Sequence, residues 1–270
     1  MVADEQNGAG TYVRSDLTSA YNRSADPQDQ AGRKLGHFYR TFVYLRAIDT
    51  VVVYDQVLVR PSSNPHGPYL THLRWHFPDR PVIAGRSVRV DQGAARLYLD
   101  TLLPRAANLR AVDESHNQDP CNGVVTPCTP YGDQAQSGTW RLEVRDSAHD
   151  LQVPFLTVLQ PGAKTRPHLV STLITSSEGP LVGVRLAGPG ATVTAVLFNN
   201  APGQVPAPLT TASYPFHGPT GAVQIIGGAL PDARYTVSWS GGEVYLARDP
   251  AGRVVASAAG VLRFTLPATR

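Results

Sequence analysis

The stretch Thr50-Val-Val-Val-Tyr-Asp-Gln-Val-Leu-Val59 decides how the rest of the chain is read. Its apolar run is nearly continuous and rich in β-branched residues, which predicts a central strand buried on both faces. Asp49-Thr50 makes a short turn in front of it, and Gly36 to Arg46 is the preceding strand of the pair. Further out, Tyr12 to Leu17 reads as another strand, separated from Gly36 by a polar loop containing Asn22, Asp26, Pro27 and Asp29. Beyond the loop Pro61 to Pro68, the segment Tyr69 to Phe77 alternates. Leu70, His72, Arg74 and His76 point one way, and Tyr69, Thr71, Leu73, Trp75 and Phe77 point the other. One face belongs to a core and the other is a His-Arg-His ladder.

Short strands follow at Ser87 to Asp91, Ala95 to Leu102 and Asn108 to Val112. After a long loop from Asp113 to Gly138 come Thr139 to Arg145 and Val153 to Leu159. Helix formers are scarce in the periodic segments, so the fold class is all-β: a large antiparallel β-sandwich followed by a smaller one. The turn-rich break Pro161 to Pro167 gives the boundary, with a first domain over 1–162 and a second over 163–270. A chain of 270 residues has room for two domains of ordinary size. In the second block, Leu181 to Ala187, Thr192 to Phe198, Ala222 to Ile226, Arg234 to Trp239, Glu243 to Arg248 and Gly260 to Leu266 read as strands. Leu230-Pro-Asp-Ala-Arg-Tyr235-Thr-Val237 resembles the tyrosine corner of fibronectin-like sandwiches, which makes Tyr235 a structural residue.

Charge narrows the partners. The net charge is only +3, and Lys34 and Lys164 are the lysines among 24 basic residues, so the cationic side chains are nearly all arginine. Arginine suits bidentate contact with carboxylate, sulfate or phosphate. The alternative is that these side chains merely lay their stems over apolar strand faces. No basic run or aromatic platform motif points to nucleic acid, and no segment reaches the length of a membrane span. The N-terminus lacks the charged and apolar regions of a secretory leader, as a mature secreted protein or an excised domain would.

Within the ladder, alternate strand residues are roughly 7 Å apart, which puts His72 and His76 about 13 Å apart across Arg74. They cannot share one metal ion, but such a strip suits an acidic sugar chain, with Arg74 on a carboxylate. No recognised metal, phosphate-loop or nucleophile-elbow pattern occurs, so no cofactor is expected. Cys121 and Cys128 bracket a loop rich in Pro, Asn and Thr, either as a local disulfide or as two thiols. A two-cysteine zinc site would have only His116 and Asp119 to draw on. Asp55 ends an apolar run and can accept from Arg40 or Arg46 across the hairpin, a register device.

Three pieces in order carry a family resemblance: Asp16-Leu-Thr-Ser-Ala-Tyr21, Arg40-Thr-Phe-Val-Tyr-Leu45 and Val51-Val-Val-Tyr-Asp-Gln-Val57, with Trp75 and His76 matching more loosely. Together they resemble the β-sandwich portion of heparinase II/III-like polysaccharide lyases. The resemblance implies an all-β chain that in the intact family works against a helical toroid, and that lies in an extracellular or periplasmic setting. Those enzymes cleave uronate-containing glycans by abstracting the C5 proton and eliminating the 4-O-linked sugar. Their catalytic Tyr and one His come from the toroid, and a further His with zinc ligands comes from the start of the sandwich. The chain is expected to begin after that segment and to be inactive by itself. Tyr21 is then a weak catalytic candidate and more readily a packing residue or cleft-wall hydroxyl. The competing readings are a non-catalytic protein that binds acidic glycans through His72, Arg74 and His76, and a structural module docked on another chain.

Overall fold

The computed structural model describes residues 2–21, 34–61, 71–113, 139–148, 150–189, 193–203 and 206–266. Cys121, Cys128, His116 and Asp119 lie outside these residues. The strands β1 (Ala3–Asn7), β2 (Gly10–Asp16), β3 (Leu35–Leu45), β4 (Thr50–Val59), β6 (Val82–Ala84), β7 (Ser87–Gln92), β8 (Ala95–Leu103) and β11 (Gln152–Ala163) form an eight-stranded antiparallel sheet in the order β1-β2-β3-β4-β11-β8-β7-β6. Against one face lies a three-stranded sheet of β5 (His72–Phe77), β10 (Trp140–Asp146) and β9 (Ala107–Asp113), with β10 in the middle. A single helical turn, α1 (Thr18–Tyr21), follows β2.

The second half supplies two more sheets. One has five strands, ordered β12 (Val170–Thr175), β13 (Leu181–Ala187), β14 (Thr194–Asn199), β16 (Val223–Gly227) and β20 (Val261–Thr265). The other has four, ordered β15 (Thr211–Pro215), β18 (Glu243–Arg248), β17 (Arg234–Ser240) and β19 (Val254–Val255). The protein is all-β, as the alternation predicts, with three differences of detail. β14 and β16 pair in parallel, because the chain crosses to the other sheet through β15 before returning. β11 continues past Leu159 through Pro161 and Gly162 to Ala163, still paired with β8. The strands β1, β6, β12, β15 and β19 carried too little apolar pattern to be expected.

Alternation along the strands builds three cores. Leu73, Phe77, Leu142 and Val144 of the three-stranded sheet meet Phe38, Val57, Leu99 and Phe155 of the eight-stranded sheet. The opposite face of that sheet offers Tyr12, Val43, Val52, Tyr54 and Val158 to Val184, Val196, Phe198 and Ile225 of the five-stranded sheet. The remaining face of the five-stranded sheet, with Ala195, Leu197 and Ile226, packs on Tyr214, Tyr235, Val244 and Leu246 of the four-stranded one. The layers therefore stack three, eight, five and four strands deep. β4, read as the central apolar strand, has neighbours on both sides and a core on each face, which is why its apolar run is nearly unbroken.

The two halves share the middle core and are tied at its rim. Tyr54 stacks on Phe198 at 4.6 Å, and its hydroxyl donates to Asn200 Oδ1 at 2.7 Å. Gln56 Nε2 donates to the Asn199 carbonyl at 3.1 Å. Gly227 is needed there, because a Cβ would stand 2.8 Å from the Tyr12 ring.

A cationic cleft and strip as the candidate functional site

Where β5, the edge strand of the three-stranded sheet, stops short over β3, β4 and β11 in the middle of the eight-stranded one, a cleft of about 580 Å³ opens. Its floor is apolar core, with Phe38, Val57, Leu73 and Phe155. Tyr21, Lys34, Arg40, His72 and Arg74 supply its polar lining. Alternation on β3 turns Phe38 and Arg40 toward different depths of the same face, and α1 carries Tyr21 over them. The Tyr21 ring meets Phe38 edge-on at 5.2 Å, and Tyr21 is 55% exposed, so its hydroxyl end is open to a ligand.

Arg40 is fixed from beneath. Its Nε and Nη2 donate to the two carboxylate oxygens of Asp55, each at 2.7 Å, in the cross-strand register Arg40 opposite Asp55. Burial raises the Asp55 carboxyl, and the hydrogen bonds and charge of Arg40 oppose that rise. Burial would by itself lower Arg40, but the bonds from Asp55 outweigh it and hold the guanidinium charged. The Asp55 side chain is 2% exposed and that of Arg40 24%, so the pair is an anchored cation at the cleft wall.

The outer face of the three-stranded sheet carries the second part of the site. Register places Arg145 opposite His72, Glu143 opposite Arg74 and Arg141 opposite His76. Arg110 of β9 stands opposite Glu143 from the other side. Arg141 Nη2 donates to Glu143 Oε1 at 2.9 Å, and Arg145 Nη2 donates to Oε2 at 2.6 Å. Arg74 Nε lies 3.9 Å from Oε1. The Glu143 side chain is only 2% exposed, whereas Arg74 and Arg145 are 45% and 41% exposed. One carboxylate thus sits beneath three guanidiniums, leaving an excess of +2 facing outward. Burial works against the Glu143 charge, but bonds and charges from Arg145 and Arg141 together bring its pKa below the ordinary value. His72 is pushed down, first by burial and then by Arg145, with Arg74 and Arg141 adding to the effect and Glu143 opposing it.

Of the residues the sequence singled out, Tyr21, Arg40, Asp55, His72 and Arg74 line one cleft. His76 lies further along the strip opposite Arg141. Tyr235 is remote, in the core between the five- and four-stranded sheets. Its hydroxyl accepts from Leu230 N at 3.0 Å and donates to the Leu209 carbonyl at 2.7 Å, so it locks a chain corner. Sequence reasoning missed Lys34, Arg141, Glu143 and Arg145. The signal was present in Trp140-Arg-Leu-Glu-Val-Arg145, whose alternation is the charged counterpart of the β5 ladder. Among the described residues no group of three or more His, Cys, Asp or Glu could hold a metal ion. Among the described residues no helix is long and apolar enough to cross a membrane.

Fold and site define a layered β-sandwich protein with a cationic cleft and strip. No family model matches the chain. No curated protein matches it either. Among solved structures it is similar to heparinase III, with a TM-score of 0.43 and 12% identity, over 72% of this chain and 26% of that one. The chain spans about a quarter of that protein's length.

Proposed function

We propose that the protein binds an acidic, uronate-bearing polysaccharide across the strip Arg74, Arg141 and Arg145 and into the cleft beside His72 and Arg40, as the β portion of a heparinase II/III-like lyase. The observation that carries this reading is the fan of three arginines over buried Glu143, which leaves an excess positive charge on a flat sheet face. A carboxylate or sulfate would take guanidinium donors already held in place, so less side-chain entropy is lost on binding. The apolar floor of the cleft would receive the less polar face of a sugar ring. A helical domain, in the same or another chain, would close the other side, and the setting would be extracellular or periplasmic.

The test is affinity electrophoresis with heparan sulfate, chondroitin sulfate, alginate and hyaluronan at low and high salt, run beside ultraviolet detection of unsaturated uronate. Salt-sensitive retardation without product is expected, because screening weakens exposed ion pairs. No retardation by any of the four at low salt sinks the binding reading. A second reading, catalysis by this chain alone, is favoured by Tyr21 lying in the same cleft as Arg40 and His72. There the Tyr21 phenolate would take the C5 proton, and the phenol so formed would give that proton to the leaving oxygen as the C4–O bond breaks. Product formation abolished by Tyr21→Phe would establish that reading in place of the first.

A further inference from the structure

The outer face of the four-stranded sheet lies at the opposite end of the layer stack from the cationic strip. Alternation along β17 and β18 turns Tyr235, Val244 and Leu246 into the core and leaves Thr236, Ser238 and Tyr245 outside. Tyr245 stands in the middle strand of three, directly between Ser213 and Ser238. The next row is Thr211, Ala247 and Thr236, all small. The result is a shallow groove of about 280 Å³ with one aromatic ring beside hydroxyls, bordered by Glu178. Tyr245 is 47% exposed.

Tyrosine is a rigid, amphipathic contact surface that loses little conformational entropy, and serine and threonine beside it supply adaptable hydrogen bonds. That combination suits a ring with an apolar C–H face and hydroxyls around its edge. None of the residues lining the groove is basic, and Glu178 adds a carboxylate that would repel an anion. The volume is at the small end for ligand pockets, enough for one or two sugar residues rather than a chain.

We infer that the outer face of the four-stranded sheet is a second carbohydrate site, selective for neutral sugars, in which a sugar ring stacks on Tyr245 and its hydroxyls bond Ser238, Thr236 and Glu178. This site is independent of the acidic-glycan strip in position and in charge.

Calorimetric titration of the intact chain with laminarihexaose, cellohexaose, mannohexaose and xylohexaose tests it. Binding of at least one is expected, weakened about tenfold or more by Tyr245→Ala and only slightly by Tyr245→Phe. Ala247→Arg fills the groove beside the ring and should weaken binding similarly, while circular dichroism shows all three variants folded. Arg74→Ala and Arg145→Ala should leave it unchanged. No binding by any of the four at millimolar concentration, or equal affinity in Tyr245→Ala, overturns the inference. Neither result bears on heparan sulfate retardation by the cationic strip.

Discussion

Replacing Glu143 by Gln separates what holds the cationic strip together from what it binds with. Two of the three ion pairs, to Arg74 and Arg145, involve side chains more than a third exposed. Solvent screens them, so each is worth only about 0–1 kcal/mol. Arg141 is 17% exposed and bonds Oε1 at 2.9 Å, and a hydrogen bond to a buried charge is worth about 1.5–3 kcal/mol. The amide keeps one acceptor, so the net loss is about 2–4 kcal/mol, or a thermal midpoint lowered by roughly 4–10 °C. Because the folded pKa of Glu143 is depressed, its contribution is present above the ordinary glutamate range and fades as pH falls through the folded value. Thermal unfolding curves of the two proteins should therefore converge in acid. Binding moves the other way, since the excess charge of the fan rises from +2 to +3. Heparan sulfate retardation should be kept or strengthened, with a steeper salt dependence, whereas Arg74→Ala and Arg145→Ala should weaken it and barely change stability. Loss of retardation by folded Glu143→Gln, or an unchanged midpoint at neutral pH, would refute the reasoning.

His72, whose pKa burial and the neighbouring arginines depress, is neutral at pH 7 and gains charge on acidification. Binding of an anionic glycan should thus tighten a few-fold as pH falls below the ordinary imidazole range, an increment that His72→Gln should reduce in the same gel assay. In the unliganded protein the sign is opposite: neutral His72 favours the fold above the unfolded imidazole pKa, and that contribution is lost as pH falls. Asp55→Asn should cost about 2–4 kcal/mol in urea unfolding by leaving Arg40 without its counter-charge, and Arg40→Met with Asp55→Leu should recover most of it. Tyr235→Phe orphans the Leu230 N–H and the Leu209 carbonyl and should cost about 1–3 kcal/mol, seen as a lower urea midpoint at unchanged slope.

The sequence made the interior strands legible and the edges illegible, for a physical reason. β4, β13 and β14 are buried on both faces, so continuous apolar runs were unavoidable. β1, with the sequence Ala-Asp-Glu-Gln-Asn, is an edge whose side chains mostly meet water, so no alternation was imposed on it. Val170 of the edge strand β12 is 62% exposed for the same reason. The site was half legible. His72, Arg74 and His76 could be placed on one strand face from their period of two. That β10 pairs with β5 in a register setting Glu143 under Arg74 is a contact across nearly seventy residues, and nothing local encodes it.

Stacking four sheets also determines where chemistry can occur. The eight- and five-stranded sheets spend both faces on cores, and their inward polar groups tie layers together. Asp100 accepts from Ser87, Gln160 and Ser171, at 2.6, 3.2 and 2.6 Å, and lies 3.0 Å from His168 Nε2, so this His, Asp and Ser cluster is consumed as a seam between the halves. The hydroxyl of Ser171 faces the carboxylate and not the imidazole, which is the wrong order for a nucleophile activated by histidine. Ligand-facing groups are left to the outer faces of the three- and four-stranded sheets and to the cleft where the smaller sheet stops short. The first of these faces collected arginine and the second collected tyrosine with hydroxyls. On the two proposals above, an acidic and a neutral sugar would sit at opposite ends of the stack, and neither site would disturb the cores between them.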